Sequence, residues 1–201
     1  MPQDIPAWRR VPAVQWIVSL LYTTLLFLDS LLFGFVIVLF GWLPFPKLYG
    51  FARAWARLNL GLAKWLCGLD YAVTGAERIP REGAHVTMWK HTSTWETMAQ
   101  MVVFPPQAWV LIFPEGTRMA PGETRKYGMS GALLASQAGV KLVPVAHDAG
   151  DYWPRRGLVK KPGRIRVVIG PPVEAAGRDP RTLNGEVQAW IEGTMRELRE
   201  R

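Results

Sequence analysis

The feature that most constrains this chain is an apolar run over residues 11–45, in which Asp29 is the only charged residue. A helix needs about 20 apolar residues to cross a bilayer, and this run is longer. It is also too long for the core of a signal peptide and lacks a convincing small-residue cleavage site. The sequence therefore predicts an N-terminal membrane anchor rather than a removable leader.

The position of Asp29 bears on how this run is arranged. A carboxylate at the bilayer centre costs at least about 2.5 kcal/mol, and basic residues flank both ends of the run. Two apolar helices that turn near Asp29 and Ser30, with both ends cytoplasmic, satisfy both observations and are the preferred interpretation. The alternatives are one long tilted span and a buried hairpin in a soluble protein. The flanking basic residues are Arg9, Arg10, Lys47, Arg53 and Arg57.

The segment from Lys47 to Leu66 has the periodicity of an amphipathic helix. Arg53, Arg57 and Lys64 share one stripe, and Trp and Leu side chains lie opposite them. This pattern is typical of a helix at a membrane interface. It is equally typical of a helix that packs its apolar face on a protein core and leaves its basic edge in water.

Composition narrows the class of protein further. The 201 residues suffice for one core with an appendage, so we expect anchoring and interfacial helices over residues 1–68 and one α/β domain over 69–201. The formal charge of +8 predicts anionic partners, either phosphate-bearing ligands, acidic lipids or nucleic acid. Cys67 is the single cysteine, which excludes an intramolecular disulfide and a cysteine-based metal cluster and fits a reducing compartment.

Beyond residue 69, short apolar strand patterns alternate with helical patterns. Such alternation is typical of an α/β fold with a mostly parallel sheet flanked by helices. The unbroken apolar run 108–113 indicates a strand in the middle of that sheet. The predicted strands are 71–74, 84–89, 108–113, 140–146 and 164–169; the predicted helices are 93–103, stopped by Pro105 and Pro106, then 129–138 and one beginning near 181.

Two short polar stretches follow two of these strands. In the first, His91 comes directly after a strand and Glu96 lies five residues later. A histidine suits general-base chemistry because its ordinary pKa of about 6.5 is near neutral pH, and a carboxylate could orient it. Ser93 to Glu96 also has the pattern of a helix capping box, so capping and pairing with His91 are equally good interpretations of Glu96.

The second stretch runs from Phe113 to Arg118 with the sequence Phe-Pro-Glu-Gly-Thr-Arg. Arg118 offers a bidentate guanidinium, and N–H groups around Gly116 could support it, so the stretch predicts a phosphate site. The alternative is a turn with an internal ion pair of Glu115 and Arg118. Because parallel strands end at the same sheet edge, we expect His91 and Glu115 to lie together there.

The chain lacks a nucleophile-elbow pattern of the type Gly-x-Ser-x-Gly, so direct attack by a substrate hydroxyl is the simpler scheme. With only three histidines, a histidine-rich metal site is not expected, and no bound cofactor is predicted. No recognition helix or aromatic platform for nucleic acid is evident, so a nucleic-acid binder, suggested by charge alone, ranks last.

The ordered pair His-x-x-x-x-Glu and Phe-Pro-Glu-Gly-Thr-Arg resembles the glycerolipid acyltransferases, specifically the 1-acyl-sn-glycerol-3-phosphate acyltransferases. The later block Val143-Pro144-Val145 is similar to one that follows in the same family. The resemblance covers roughly residues 71–173, and a hydrophobic N-terminus is also usual for the family. It implies a glycerolipid-acyltransferase-like fold at a membrane, on the cytoplasmic face of the inner membrane.

The resemblance further implies transfer of a fatty acyl group from coenzyme A or acyl-carrier protein to lysophosphatidic acid, giving phosphatidic acid in phospholipid biosynthesis. His91 would take the proton of the acceptor hydroxyl, and Glu96 would orient His91. The acceptor site would be shaped by Glu115, Gly116, Thr117 and Arg118, with Arg118 on the phosphate, and Lys126 would add positive field. The implied partners are membrane phospholipids, lysophosphatidic acid and the acyl donor.

Two departures from the family pattern stand out. The acidic member of the first motif is glutamate, where the family more often has aspartate. The interval between His91 and Phe113 is short, so the block that usually carries an arginine motif for the acceptor is missing between Val103 and Ala108. A second interpretation follows from this interval: a membrane lipid-binding relative with impaired catalysis that lacks part of the acceptor site.

Overall fold

The computed structural model describes residues 5–104 and 109–200. The predicted helix stop at Pro105 and Pro106 and the predicted strand start at Ala108 lie outside these residues. The helices in the described part of the chain are α1 (Pro12–Leu39), α2 (Phe45–Cys67), α3 (Trp95–Val103), α4 (Ser130–Ala138), α5 (Ala149–Tyr152) and α6 (Pro180–Glu200). The strands are β1 (Leu69–Thr74), β2 (His85–Trp89), β3 (Trp109–Ile112), β4 (Lys141–His147) and β5 (Gly163–Ile169).

The five strands form one sheet in the order β1-β5-β4-β2-β3. Strand β2 runs parallel to both β3 and β4, with Met88 opposite Ile112 on one side and Pro144 on the other. Strand β5 runs antiparallel to β4. The predicted α/β fold with helices flanking a sheet is confirmed, and the antiparallel β4–β5 pair makes the sheet mixed.

Helix α1 passes through Asp29 and Ser30 without a break, so the predicted turn at these residues is wrong. The Asp29 carboxylate accepts hydrogen bonds from Trp55 Nε1 at 2.9 Å and from Asn59 Nδ2 at 3.0 Å, both in α2. These donors, both on the Oδ1 atom, offset part of the cost of a carboxylate in an apolar helix, because a hydrogen-bonded charge costs less than an unpaired one. The chain instead turns at residues 40–44, between α1 and α2.

Most of the apolar surface of α1 is not covered by protein. Ser19 and Tyr22 are its buried residues, whereas Leu31 is 72% exposed and Val38 is 80% exposed. By length and composition, α1 is the one helix in the described residues that could cross a membrane. An apolar surface of this extent is typical of a helix that contacts lipid or another protein.

The chain divides into two compact units, and the first comprises the described residues of 1–71, 94–106 and 152–164. In this unit α2 packs against both α1 and α3. Lys160 fastens the segment after α5 to α1, because its N–H donates to Ser19 Oγ at 2.9 Å and its ammonium donates to the Thr23 hydroxyl. The exposed face of α2 carries basic and apolar side chains together, namely Arg57, Leu58, Lys64 and Trp65.

The second unit comprises the described residues of 72–93, 107–151 and 165–200. Its core forms where one face of α6 covers the sheet and meets α4. The apolar residues of α6 recur at helical spacing, which explains why a single face is buried. These residues are Leu183, Val187, Ile191, Met195 and Leu198.

Candidate active site

The turns after β2 and β3 bring His91 and the second predicted motif together within the second unit. The imidazole of His91 stacks on the ring of Phe113, with ring centroids 4.0 Å apart and planes inclined by 17°. Glu115, two residues beyond Phe113, accepts the His91 N–H at its Oε2 atom over 2.8 Å. The prediction that His91 and Glu115 share one sheet edge is correct, because β2 and β3 are parallel neighbours.

The backbone on both sides of His91 is held by hydrogen bonds. The Lys90 N–H donates to the Val145 carbonyl at 3.0 Å, and the Met119 N–H donates to the His91 carbonyl at 2.7 Å. Together with the bond from the His91 N–H to Glu115, these contacts fix the turn to β4 and to the loop after β3. A residue whose backbone is held in this way loses little further freedom when a ligand binds.

His147 closes the same turn from the end of β4. Its Nδ1 atom accepts the Ala149 N–H at 3.3 Å, so its Nε2 atom carries the proton and donates to the Lys90 carbonyl at 2.7 Å. The tautomer follows from these two partners. His147 is fully buried, and its ring holds the Lys90 carbonyl in this turn, a contact that its position in the sequence did not indicate.

Glu115 is buried and serves as an acceptor inside the protein. Its Oε1 atom accepts the Lys90 ammonium at 2.6 Å while its Oε2 atom accepts the His91 N–H. Burial raises the pKa of the Glu115 carboxyl above its ordinary value, and the hydrogen bonds from Lys90 and His91 oppose that rise. The structure therefore gives Glu115 a supporting role behind His91.

Lys90 and Glu192 join this site and were not predicted as site residues. The Lys90 ammonium is fully buried and also donates to Glu192 Oε1, in α6, at 2.9 Å. Burial acts to raise the pKa of Glu192, but hydrogen bonds from Lys90, Thr124 and Tyr127 hold it below its ordinary value. The one signal in the sequence was the charge of Lys90 beside His91. Glu192 lies 102 residues further along the chain, and no spacing rule connects the two.

Three further residues of the second motif, Gly116, Thr117 and Arg118, are exposed or partly exposed, whereas Pro114 is buried. Gly116 has a φ of 67°, which favours glycine, and its N–H closes the turn onto the Phe113 carbonyl at 3.0 Å. Thr117 is exposed and Arg118 is partly exposed. Lys126 is exposed further along the loop between β3 and α4.

Glu96 lies in the first turn of α3 and is fully buried in the first compact unit. The helix begins at Trp95, two residues later than predicted, and its N-cap residue Thr94 makes no capping bond with its side chain. The pairing of Glu96 with His91 and its capping role both stay predictions.

A metal site needs several ligand side chains close together. Within residues 5–104 and 109–200, no group of three or more His, Cys, Asp or Glu side chains is placed to hold a metal ion. The groups gathered at the site are instead a half-buried imidazole, buried carboxylates and a partly exposed guanidinium. This set suits proton transfer and anion binding.

The chain is similar to a 1-acyl-sn-glycerol-3-phosphate acyltransferase from Pseudomonas aeruginosa, with 34% identity over an alignment 209 residues long that covers 78% of this chain and 81% of the relative. A 1-acyl-sn-glycerol-3-phosphate acyltransferase alpha from Mus musculus is 29% identical over 132 residues, 63% of this chain and 40% of the relative. No family model matches the chain.

Among solved structures, the crystal structure of the 1-acyl-sn-glycerophosphate acyltransferase from Thermotoga maritima matches with a TM-score of 0.75. The match covers 93% of this chain and 98% of that one at 16% sequence identity, so it shows a shared fold. The alignment with the Pseudomonas relative, at 209 residues, is longer than this chain of 201. The relative therefore has residues without counterparts in this chain.

Proposed function

Because this chain belongs to the 1-acyl-sn-glycerol-3-phosphate acyltransferase family and is an acyltransferase, we propose that it acylates lysophosphatidic acid to phosphatidic acid. The acyl donor is a thioester of coenzyme A or acyl-carrier protein, and the pathway is phospholipid biosynthesis. The single observation that carries the proposal is the fixed turn after β2, which presents His91 beside the loop that contains Glu115 and Arg118.

His91 acts as the general base in this scheme. Its imidazole takes the proton from the acceptor hydroxyl as the oxygen attacks the thioester carbonyl. The tetrahedral intermediate then collapses, the carbon–sulfur bond breaks, and the thiolate takes the proton back from the imidazolium. Glu96 is proposed to orient the ring and to stabilise the imidazolium, as a carboxylate does in hydrolase triads.

Arg118 is proposed to bind the phosphate of the acceptor. Its guanidinium is partly exposed, and a planar fork of donors suits a phosphate group. The Gly116 N–H is already used within the turn, so Arg118, Thr117 and the positive field of Lys126 are the better candidates for this contact. Glu115, which is buried against Lys90, supports the site from behind rather than touching the acceptor.

The catalytic proposal is tested by release of free thiol from an acyl thioester in the presence of lysophosphatidic acid. Purified wild-type protein in detergent should release thiol and form phosphatidic acid, and His91→Ala should not. Arg181→Ala, which alters an exposed residue at the start of α6, is the control and should keep wild-type activity. Full thiol release by His91→Ala, or none by the wild type, would contradict the proposal.

A second candidate function is lipid binding without turnover. It is favoured by one observation, the residues that the Pseudomonas relative has and this chain lacks. If the missing residues form a wall of the acceptor site, the fold can persist while catalysis fails. Binding of lysophosphatidic acid by calorimetry, with no thiol release, would select this function over the first.

We also propose that the protein acts at a membrane surface, on its cytoplasmic face. The support is the exposed apolar surface of α1 and the mixture of Arg57, Lys64 and Trp65 on the exposed face of α2. Aromatic and basic side chains together favour the headgroup region of an anionic membrane. Such a location suits an acceptor that is itself a lipid.

A further inference from the structure

The feature that the catalytic scheme leaves unexplained is a cluster of three buried or half-buried charges behind His91: Lys90, Glu115 and Glu192. We call it the charge triad. The Lys90 ammonium is fully buried and donates to Glu115 Oε1 at 2.6 Å, to Glu192 Oε1 at 2.9 Å and to the Glu123 carbonyl at 3.1 Å. An ammonium has three protons, so its donor capacity is filled.

Glu192 also accepts several hydrogen bonds at one oxygen. Its Oε1 atom accepts not only Lys90 but also the Thr124 hydroxyl at 2.7 Å and the Tyr127 hydroxyl at 3.0 Å. These donors belong to the loop between β3 and α4, whereas Glu192 belongs to α6. The carboxylate thus ties α6, the loop and the turn after β2 to a single point.

The triad connects to the reaction through one backbone group. Glu115 receives Lys90 on one oxygen and the His91 N–H on the other, at 2.8 Å. A shift in the position of Glu192 would therefore change the position of the His91 backbone through Lys90 and Glu115. Along this path the contacts are charge-assisted hydrogen bonds, which hold distance and direction more strictly than apolar packing does.

Stability alone does not account for the triad. Burying charges costs desolvation free energy, and well-packed apolar residues of similar volume are often as stable or more stable. Two carboxyl groups also share the one Lys90 ammonium, so the cation is not matched by a single partner. An arrangement of this cost beside the catalytic turn points to a role in placing His91.

We propose that Lys90 and Glu192 are positioning residues that set the placement of His91 from helix α6. This inference rests on the proposed acyl transfer and goes beyond it, because neither side chain is proposed to touch a substrate. Glu192 counter-charges Lys90, Lys90 fixes Glu115, and Glu115 holds the His91 backbone so that the ring stacks on Phe113.

The test uses Glu192→Gln in the full-length protein, with Glu186→Gln as the matched control. Both residues lie in α6, and Glu186 forms an exposed ion pair with Arg178 at 2.8 Å. For Glu192→Gln we expect kcat to fall about tenfold, with KM for both substrates within about twofold of wild type and cooperative unfolding retained. For Glu186→Gln, kcat, KM for both substrates and the unfolding transition should stay as in the wild type. Wild-type kcat in Glu192→Gln, or a change confined to KM, would overturn the proposal.

A second pair of variants separates charge from volume at the centre of the triad. Lys90→Arg keeps a cation within reach of both carboxylates, whereas Lys90→Met keeps the stem and removes the charge. We expect Lys90→Arg to retain more kcat than Lys90→Met, with both variants folded by circular dichroism. Equal loss in the two variants would show that only the native packing of Lys90 matters, which contradicts positioning through charge.

A readout independent of activity distinguishes this proposal from the proposed function. The carbon-bound ring protons of the three histidines can be followed by NMR and assigned with His91→Asn. Glu192→Gln should move the His91 signal, and Glu186→Gln should not. The absence of turnover in the wild type would contradict the acyl-transfer proposal. An unmoved His91 signal in Glu192→Gln would contradict the positioning role, whatever the turnover of the wild type.

Discussion

Among single residues, Glu115 carries the most demanding role, because one buried carboxylate accepts both a lysine ammonium and the N–H of the proposed base. Both partners, Lys90 and His91, lie in the turn after β2, so one carboxylate holds two consecutive residues of that turn. The same residue was assigned from the family resemblance to the acceptor site. Because Glu115 is buried, the role proposed for it here is support of the site from inside the protein.

We predict that Glu115→Ala destabilises the protein by about 3 kcal/mol, the lower end of the cost of breaking a buried ion pair. The lower end applies because Lys90 keeps Glu192 as a partner. Urea unfolding followed by circular dichroism measures the change. Thr117→Ala, in the same loop but exposed, should stay within about 0.5 kcal/mol of wild type. Equal effects in the two variants would contradict the structural role of Glu115.

The sequence was sufficient to place His91 and Glu115 at one sheet edge, because the strand pattern before each residue indicates parallel strands that end together. It was not sufficient to find Lys90, Glu192 or His147 as supports. Each of these contacts joins residues far apart in the chain, and local spacing carries no information on them. Local spacing also left two interpretations of Glu96 open, since its distance in sequence from His91 and from Ser93 fits both pairing with His91 and capping of the helix.

At the scale of elements, α6 depends on a close approach to the end of the sheet. A side chain at Gly170 would meet Pro144 Cγ at 2.7 Å and the Trp190 ring at 2.7 Å, and both are rigid rings. The Gly170 N–H also donates to the Pro144 carbonyl at 2.9 Å. Glycine here lets β4, β5 and α6 meet without a gap.

We predict that Gly170→Ala destabilises the protein by about 1–3 kcal/mol through overpacking against these two rings. Gly185→Ala is the matched control, because nothing lies within 4 Å of a methyl group placed there and the residue is inside α6. It should stabilise by about 0.5–1 kcal/mol, since alanine favours helix. In thermal unfolding, the midpoint temperature should therefore fall for Gly170→Ala and rise for Gly185→Ala.

The start of α6 makes a separate prediction about pH. The Asp179 carboxylate accepts both the N–H and the hydroxyl of Thr182 at 2.8 Å, and these hydrogen bonds lower its pKa. A lowered folded pKa means that Asp179 stabilises the protein above its ordinary pKa of about 3.9 and loses this effect as pH falls through the folded value. In urea titrations, the stability difference between wild type and Asp179→Asn should therefore narrow below about pH 3.9. A difference that grows as pH falls would contradict this assignment.

Helix α1 shows why a prediction from a single residue can be wrong when contacts from another helix change the cost of that residue. Asp29 suggested a break, because a carboxylate in an apolar run is costly on its own. Two donors to its Oδ1 atom, from Trp55 and Asn59, lie in α2, and the helix continues through Asp29. Likewise, the antiparallel direction of β5 was not predicted, because the residues of one strand do not report its neighbour's direction.

For the whole molecule, the formal charge of +8 and the exposed apolar surface of α1 both favour the proposed binding to an anionic lipid surface. Each basic residue near such a surface contributes about 1 kcal/mol, and salt screens the contribution. Arg57 is exposed on the same face of α2 as Trp65. A basic residue beside an interfacial aromatic ring should matter more than one on a polar helix.

We predict that the protein floats with vesicles that contain phosphatidylglycerol more than with pure phosphatidylcholine, and that added salt reduces the difference. Arg57→Glu should weaken flotation with the anionic vesicles more than Arg181→Glu does, although each changes the net charge equally. Equal weakening by both variants would show that only the total charge counts. Unchanged flotation in both would remove the electrostatic part of the membrane proposal.

The contact between Lys90 and Glu192 also has a consequence for protein synthesis. A ribosome makes the chain from its N-terminus, so α1 emerges first, and Glu192 is added 102 residues after Lys90. At typical rates of translation this delay is roughly 5–20 s. We therefore expect the nascent chain to meet the lipid surface while the catalytic turn still lacks its counter-charge, so that the protein reaches its membrane before it becomes an active enzyme.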